Sequence, residues 1–346
     1  MAYTTINKST DNFTPFTYSG NGSSRTVTGV GFQPDFFWIK QRSNNQSHML
    51  WDALRGGNYY MGSNHQNASN NDVGTFTAAS DGYSFGTDNA YNGSGQTYVG
   101  WNWKAASSGS SNSDGTITST VAANAAAGFS IVKYTGTGSG SATVGHGLGV
   151  KPKILLVKAI TGSENWHWWQ DTDNDGTANQ RLVLNFQNAN YNNYFTSFQN
   201  TTFTLPSLND NGWSANGTEF IAYVFSEKLG YSKFDYYVGN GNTSGPFVYT
   251  GFKPAMIIAK NISATQDWVI KDNKRPGFNQ INDVLYPNGN YAEGHGADVD
   301  FLSNGFKMRS TANNINANGQ VFIYMAFAEE PLVANVGANG IPATAR

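Results

Sequence analysis

Three short runs stay apolar on both faces and end in lysine: Phe36-Phe37-Trp38-Ile39-Lys40, Ile154-Leu155-Leu156-Val157-Lys158 and Met256-Ile257-Ile258-Ala259-Lys260. Runs of this length, apolar at every position, predict fully buried central strands. Each follows a Gly-x-x-Pro turn, at Gly31–Pro34, Gly149–Pro152 and Gly251–Pro254, and from copy to copy prolines and lysines alike lie 118 and then 102 residues apart. Registers that agree without gaps mark an internal repeat in three copies.

The surroundings of each run recur as well. An aromatic strand enters each copy, at Phe16-Thr17-Tyr18, Val132-Lys133-Tyr134 and Phe234-Asp235-Tyr236-Tyr237. After the central strand a further aromatic strand reaches Asp52, Asp171 or Asp272, so that Asp171 reads as the counterpart of the other two. Each copy closes on a run opened by Asn-Gly: Tyr98 to Trp103, Phe220 to Phe225, and Phe322 to Phe327. Asn-Gly between apolar runs is a hairpin signal, because type I′ turns need positive φ at both central residues.

The predicted fold is all-β: three tandem antiparallel β-sandwich modules, jelly-roll-like in size and turn rhythm. The boundaries read as module one over 1–104, a Ser/Gly linker over 105–115, module two over 116–228, module three over 229–330, and a C-terminal tail over 331–346. The linker composition predicts a flexible tether that leaves module one freer than the other two. The tail is expected to dock on a neighbouring protein or to fray.

Composition narrows the function. The 346 residues include no cysteine, 39 glycines and only 13% charged residues, with a net charge of −2. Disulfide and thiolate chemistry is excluded. A field for nucleic acid or anionic lipid would need clustered Lys and Arg, so neither partner is expected. No apolar run approaches the ~18 residues that span a bilayer, and the first residues carry no basic cluster followed by an apolar core.

In Asp171-Thr172-Asp173-Asn174-Asp175-Gly176 three carboxylates alternate before a glycine, the spacing of hard-cation loops. Calcium at Asp171, Asp173 and Asp175 is thus the one cofactor suggested; an Asn/Asp-rich turn is the plainer alternative, because a helix-loop-helix site would need Glu where Leu182 stands. Aromatic side chains near Asn and Gly could stack on sugars: Trp169, Tyr191, Tyr194, Tyr59 and Tyr60 are the glycan-binding candidates, against burial or plain turn tyrosines. Lys40, Lys158 and Lys260 read as solvated strand ends, or as cations over Trp166 and Trp268 in the last two copies. No catalytic residue is nominated. The five histidines, His48, His65, His146, His167 and His295, occupy non-equivalent places, and Glu227, Glu329 and Glu330 fall at module ends without a glycosidase partner.

In combination, Thr10-Asp11-Asn12-Phe13-Thr14-Pro15, Val30-Gly31-Phe32-Gln33-Pro34-Asp35 with Trp38-Ile39-Lys40, Asp114–Val121 leading to Ala127–Val132, and Gly340-Ile341-Pro342-Ala343-Thr344-Ala345 resemble tandem-repeat structural proteins of tailed bacteriophages, those of marine and cyanobacterial phages above all. The resemblance implies a virion component assembled in the bacterial cytoplasm, with other virion proteins as partners and a homo-oligomeric, for example trimeric, state. It carries over no functional residues. The expected function is a tail-fibre or appendage-type protein that contributes to attachment to host surface polysaccharide. The alternatives are a capsid decoration or head–tail protein with protein contacts only and, third, a polysaccharide-degrading enzyme.

Overall fold

The computed structural model describes residues 4, 6–70, 76–191, 196–206 and 209–332. The chain is all-β, with antiparallel sheets; among the described residues the only helices are single turns at Asn89–Asn92 and Asn313–Asn316 and a 3-10 turn at Ser9–Asp11. No helix among the described residues is long and apolar enough to cross a membrane.

Each repeat sets an opening, a closing, a central and a flanking strand side by side, hydrogen-bonded in that order; they form a four-stranded sheet in the first and third repeats and the middle of a seven-stranded sheet in the second. The opening strands are Phe13–Ser19, Phe129–Thr135 and Ser232–Val238; the central ones are Phe36–Gln41, Ile154–Ala159 and Phe252–Asn261. The flanking strands are Met49–Asp52, His167–Gln170 and Val269–Asp272, and the closing ones Thr97–Trp103, Glu219–Phe225 and Val321–Pro331. The central strands are the buried apolar runs of the sequence, each lying between the flanking and closing strands.

A strand apolar on both faces needs two partners, and it has them. One face of all three sheets lines a single common core, which holds Phe36, Trp38 and Trp101 of the first repeat, Ile154, Leu156 and Tyr223 of the second, and Met256, Ile258 and Met325 of the third. The other face of each sheet packs into a core of its own, against a second sheet formed by Arg25–Thr28, Phe76–Ala79 and Gly82–Phe85 in the first repeat. In the second repeat that partner is the pair Thr143–Gly145 and Thr202–Thr204. In the third it is the sheet of Phe247–Tyr249, Ile281–Val284, Gly294–Leu302 and Gly305–Met308.

The repeats close into a ring. Equivalent backbone bonds join the first to the second repeat (Ser69 N–H to Ile160 O, 2.9 Å), the second to the third (Asn190 N–H to Ile262 O, 3.2 Å) and the third back to the first (Glu293 N–H to Arg42 O, 2.7 Å). On the axis of that ring the last aromatics of the closing strands meet: Trp103 to Phe225 at 6.4 Å, Phe225 to Phe327 at 6.0 Å and Trp103 to Phe327 at 5.7 Å, all steeply inclined. Edge-to-face geometry suits the ring quadrupoles.

This packing differs from the tether expected at 105–115. Ala105 and Ala106 pack on the common core, and Ser110–Asn112 pairs with Ser119–Asn124 as the outermost strands of the second repeat's sheet. Small polar residues that read as linker composition suit an edge strand equally well. The first repeat is as fully engaged as the others, since its Phe13, Trp101 and Trp103 lie in the shared core. Residues 333–346 of the tail lie outside the described residues.

Candidate functional site

The pairing register corrects one equivalence. Phe36, Ile154 and Met256 stand opposite Asp52, Gln170 and Asp272, so Gln170 is the counterpart of the two aspartates and Asp171 comes one residue later. Asp52 and Asp272 are buried, and each pairs with the arginine three residues on: Arg55 Nε lies 2.5 Å from Asp52 Oδ2, and Arg275 Nε 2.6 Å from Asp272 Oδ2. Each also receives a donor from the closing strand of the next repeat in the ring. Tyr223 Oη–H donates to Asp52 at 2.8 Å and Trp101 Nε1–H to Asp272 at 3.0 Å. At the third seam the Gln170 amide donates to Tyr324 O at 3.4 Å.

The lysines are not solvated strand ends, nor do they sit over indoles. Lys40, Lys158 and Lys260 are wholly buried, and their ammonium groups are capped by carbonyls. Lys260 Nζ donates to Gln187 O at 3.0 Å across the seam, and to Asn261 O and Gln266 O at 2.8 and 2.9 Å. Lys158 reaches Gln66 O of the first repeat at 3.0 Å. Burial lowers Lys40 and Lys260 to about 7 and Lys158 to about 8. His48 sits between repeats too: it accepts from Trp38 Nε1–H at 2.7 Å, which leaves its Nε2–H to donate to Tyr286 O at 3.0 Å.

In the acidic loop, Asp171 is buried and its carboxylate accepts the N–H groups of Asp173, Asn174 and Gly176 at 3.1, 2.8 and 3.1 Å. Asp173 takes the Asn179 amide at 2.5 Å and Asp175 the Thr177 N–H at 2.6 Å. The Lys151 ammonium stands 3.5 Å from Asp175 O. That is the arrangement of a capped turn, in which the three carboxylates serve separate partners. Among the described residues no group of three or more His, Asp or Glu side chains could hold a metal ion.

The glycan candidates do not gather at one place. Trp169 is fully buried in the second repeat's own core, edge-on to Trp213 at 5.6 Å, so its faces are closed to any sugar. On a strand buried on both faces, the alternation that puts Trp168 and Trp169 on opposite sides leaves neither exposed. Tyr59 is 42% exposed, Tyr60 is half-buried edge-on to Phe76, and Tyr191 is half-buried beneath the Arg181 guanidinium, 5.1 Å from its ring. Tyr194 lies outside the described residues.

A cavity of about 260 Å³ opens instead in the third repeat, between the central and closing strands and the loop after the flanking strand. Phe301 and Ile281 are buried lining residues, and Phe278, 78% exposed, stands beside them. The Asn279 amide is fixed by both backbone groups of Phe301, donating to its O at 2.9 Å and accepting its N–H at 2.8 Å. Lys253 and Glu329 face each other across the paired strands at 2.5 Å. Asn273 Oδ1 is buried with no hydrogen-bond partner. An orphaned acceptor of this kind is satisfied when a ligand hydroxyl donates to it. Next to the cavity, burial and then the Glu329 charge push Glu330 up to about 7.

By register Asn273 is the counterpart of Asp171, and Lys253 that of Lys151. The cavity and the acidic turn are thus the same corner in two repeats: carboxylates and Lys151 fill it in the second, and an amide and an exposed ring border it in the third. Reading each motif alone missed this site, because its residues are scattered over four segments. The one local signal was Arg275-Pro276-Gly277-Phe278, where Gly277 takes a φ of +79° and the turn presents a lone aromatic.

No curated protein and no solved structure matches the chain. Residues 8–331 match a family described as a Domain of unknown function (DUF7483). The match covers all three repeats, and the chain belongs to the DUF7483 family.

Proposed function

We propose that the chain is a virion structural protein of a tailed phage, of tail-fibre or appendage type, that contributes to attachment to surface glycans of a host bacterium. Each repeat is read as one jelly-roll-like β-sandwich module and the ring as their assembly, acting with other virion proteins and as a homo-oligomer. The phage assignment rests on the sequence resemblance. The glycan reading rests on the third repeat's cavity. An exposed aromatic, Phe278, beside an unpaired acceptor, Asn273 Oδ1, and a neutralised charge pair, Lys253 with Glu329, suits an uncharged polyhydroxylated ring, with the apolar face of the sugar on Phe278 and its hydroxyls on the polar groups. At about 260 Å³ the cavity lies just below the range of roughly 300–1,000 Å³ typical of larger ligands, which favours a single sugar unit.

A glycan array with the purified protein tests this. Saturable binding to a defined saccharide, weakened at least tenfold by Phe278→Ala and by Asn273→Ala with the melting temperature kept, supports it. Binding that is indifferent to both substitutions removes the cavity from the reading. Binding only to capsids or tail particles would favour a decoration or head–tail role, and shortening of host polysaccharide on incubation would favour an enzyme.

A further inference from the structure

The loop that borders the cavity is anchored at the seam between the third and the first repeat. Residues 273–279 supply Asn273, Gly277, Phe278 and Asn279 to the cavity lining, while Arg275, buried in the same loop, serves the seam. The Arg275 Nη2–H donates to Ile270 O at 2.9 Å and its Nη1–H to Glu293 Oε2 at 3.0 Å, beside the pair that Nε makes with Asp272. Asp272 in turn accepts the N–H groups of Lys274 and Arg275 at 3.0 and 3.1 Å. From the first repeat, Trp101 lies with its ring centre 5.8 Å from the guanidinium carbon.

The first repeat shows what is particular to this loop. Arg55 makes the same contacts with Asp52 and Leu50 O, and Asp52 accepts the N–H groups of Leu54 and Arg55 at 3.1 and 2.9 Å. The Arg55 Nη1–H, however, donates to Ser69 Oγ at 3.2 Å. Ser69 and Glu293 are one place in the ring, since their N–H groups make the equivalent seam bonds to Ile160 O and Arg42 O. A serine that meets an isoleucine at one seam is thus replaced by a glutamate that meets an arginine at the other. At the remaining seam the same place belongs to Asn190 and Ile262.

Arg42 grips Glu293 with both prongs, its Nε 3.0 Å and its Nη2 2.6 Å from Oε1. Charges therefore alternate from Arg42 through Glu293 and Arg275 to Asp272, and members of one largely buried network of this kind are energetically coupled. In the second repeat, where the corner is filled, Gln170 and Asp173 stand where Asp272 and Arg275 do.

We propose that Arg275 is a positioning residue through which the first repeat shapes the cavity: Arg42, acting through Glu293, holds Arg275 and with it the loop of residues 273–279. The consequence for sugar binding rests on the glycan reading of the cavity; the hold on the loop does not. Arg42→Ile, which installs the residue of the other two seams, tests this on the full chain. Amide hydrogen exchange at Lys274 and Arg275 is expected to quicken about tenfold, as befits a lost charge-assisted bond, while the equivalent amides of Leu54 and Arg55 keep their rates. Arg42→Lys, which keeps the charge without the two-pronged contact, falls between. In titrations with glucose, galactose, mannose and N-acetylglucosamine, the sugar that binds the wild type is expected to bind Arg42→Ile about fivefold more weakly. Unchanged exchange at Lys274 and Arg275, or an equal rise at Leu54 and Arg55, overturns the proposal whether or not a sugar binds. An Arg42→Lys chain that exchanges as fast as Arg42→Ile assigns the effect to packing and overturns it too. Quickened exchange with an unchanged sugar affinity overturns the link from seam to site. A wild type that binds none of the four sugars counts against the glycan reading, and the exchange rates alone then decide whether the seam holds the loop.

Discussion

The indole of Trp103 meets the ring of Phe225 edge-on at 6.4 Å, and Phe327 completes the triangle with both. The three residues are one position of one repeat, so the contact that closes the ring is made by identical places in three sheets. A common core of this kind makes the repeats fold together. Phe225→Ala removes a buried aromatic from the axis and is expected to destabilise the whole chain by about 3–5 kcal/mol. Denaturant unfolding followed by tryptophan fluorescence and by circular dichroism should give one coincident transition for wild type and variant. A first repeat that unfolds separately would show that the shared core does not couple it.

The buried pairs Asp52–Arg55 and Asp272–Arg275 each take one aromatic donor from the neighbouring repeat. Removing one charge of a buried pair leaves the other uncompensated, so Asp52→Ala should destabilise by about 3–5 kcal/mol. Tyr223→Phe loses only a hydrogen bond to a charged acceptor, about 1.5–3 kcal/mol. A double-mutant cycle between the two positions measures their coupling. Additive losses would mean that the bond across the seam carries no stability.

Much of this was legible in the sequence, and the reasons differ by element. The central strands could be read because burial on both faces leaves an unbroken apolar run. The closing strands could be read by alternation, but alternation does not say what a face meets. That is why Trp103, Phe225 and Phe327 gave no sign of a common axis. Lys40, Lys158 and Lys260 misled because a lysine after an apolar run is ordinarily a solvated end; here carbonyls of its own turn cap Lys40, and for Lys158 and Lys260 a carbonyl also arrives from another repeat. The cavity stayed hidden because Lys253, Asn273, Phe278 and Glu329 are brought together by pairing and not by spacing.

The acidic loop yields a test that separates turn from cation site. With its carboxylate taken by three N–H groups, Asp171→Ala should lower stability by about 1–3 kcal/mol, equally in calcium and in chelator. Differential scanning calorimetry in both conditions checks it. A melting temperature that rises with calcium, and no longer does so after Asp173→Ala, would restore the cation-loop reading.

The buried lysines set the pH dependence. Burial lowers Lys40, Lys260 and Lys271 to about 7 and Lys158 to about 8. Glu293 faces Lys40, Asp267 faces Lys260, and Glu164 with Arg55 faces Lys158. Lys271 has Arg275, Asp298, Asp283 and Asp272 around it. An unfolded lysine titrates near ~10.4, so between about pH 7 and 10 the unfolded chain binds more protons than the folded one, and stability rises with pH. Above that window the sign reverses. Tyr91 and Tyr98 are pushed up to about 12 by burial, so the unfolded chain loses their protons first. Stability against urea should therefore climb from pH 6.5, peak near pH 10 and fall beyond it. Lys260→Met, which removes one of the titrating groups, should flatten the climb, with its largest gain relative to wild type at the acid end. A wild-type profile that is level or falling between pH 7 and 10 would mean that these ammonium groups keep ordinary affinities for their protons inside the ring.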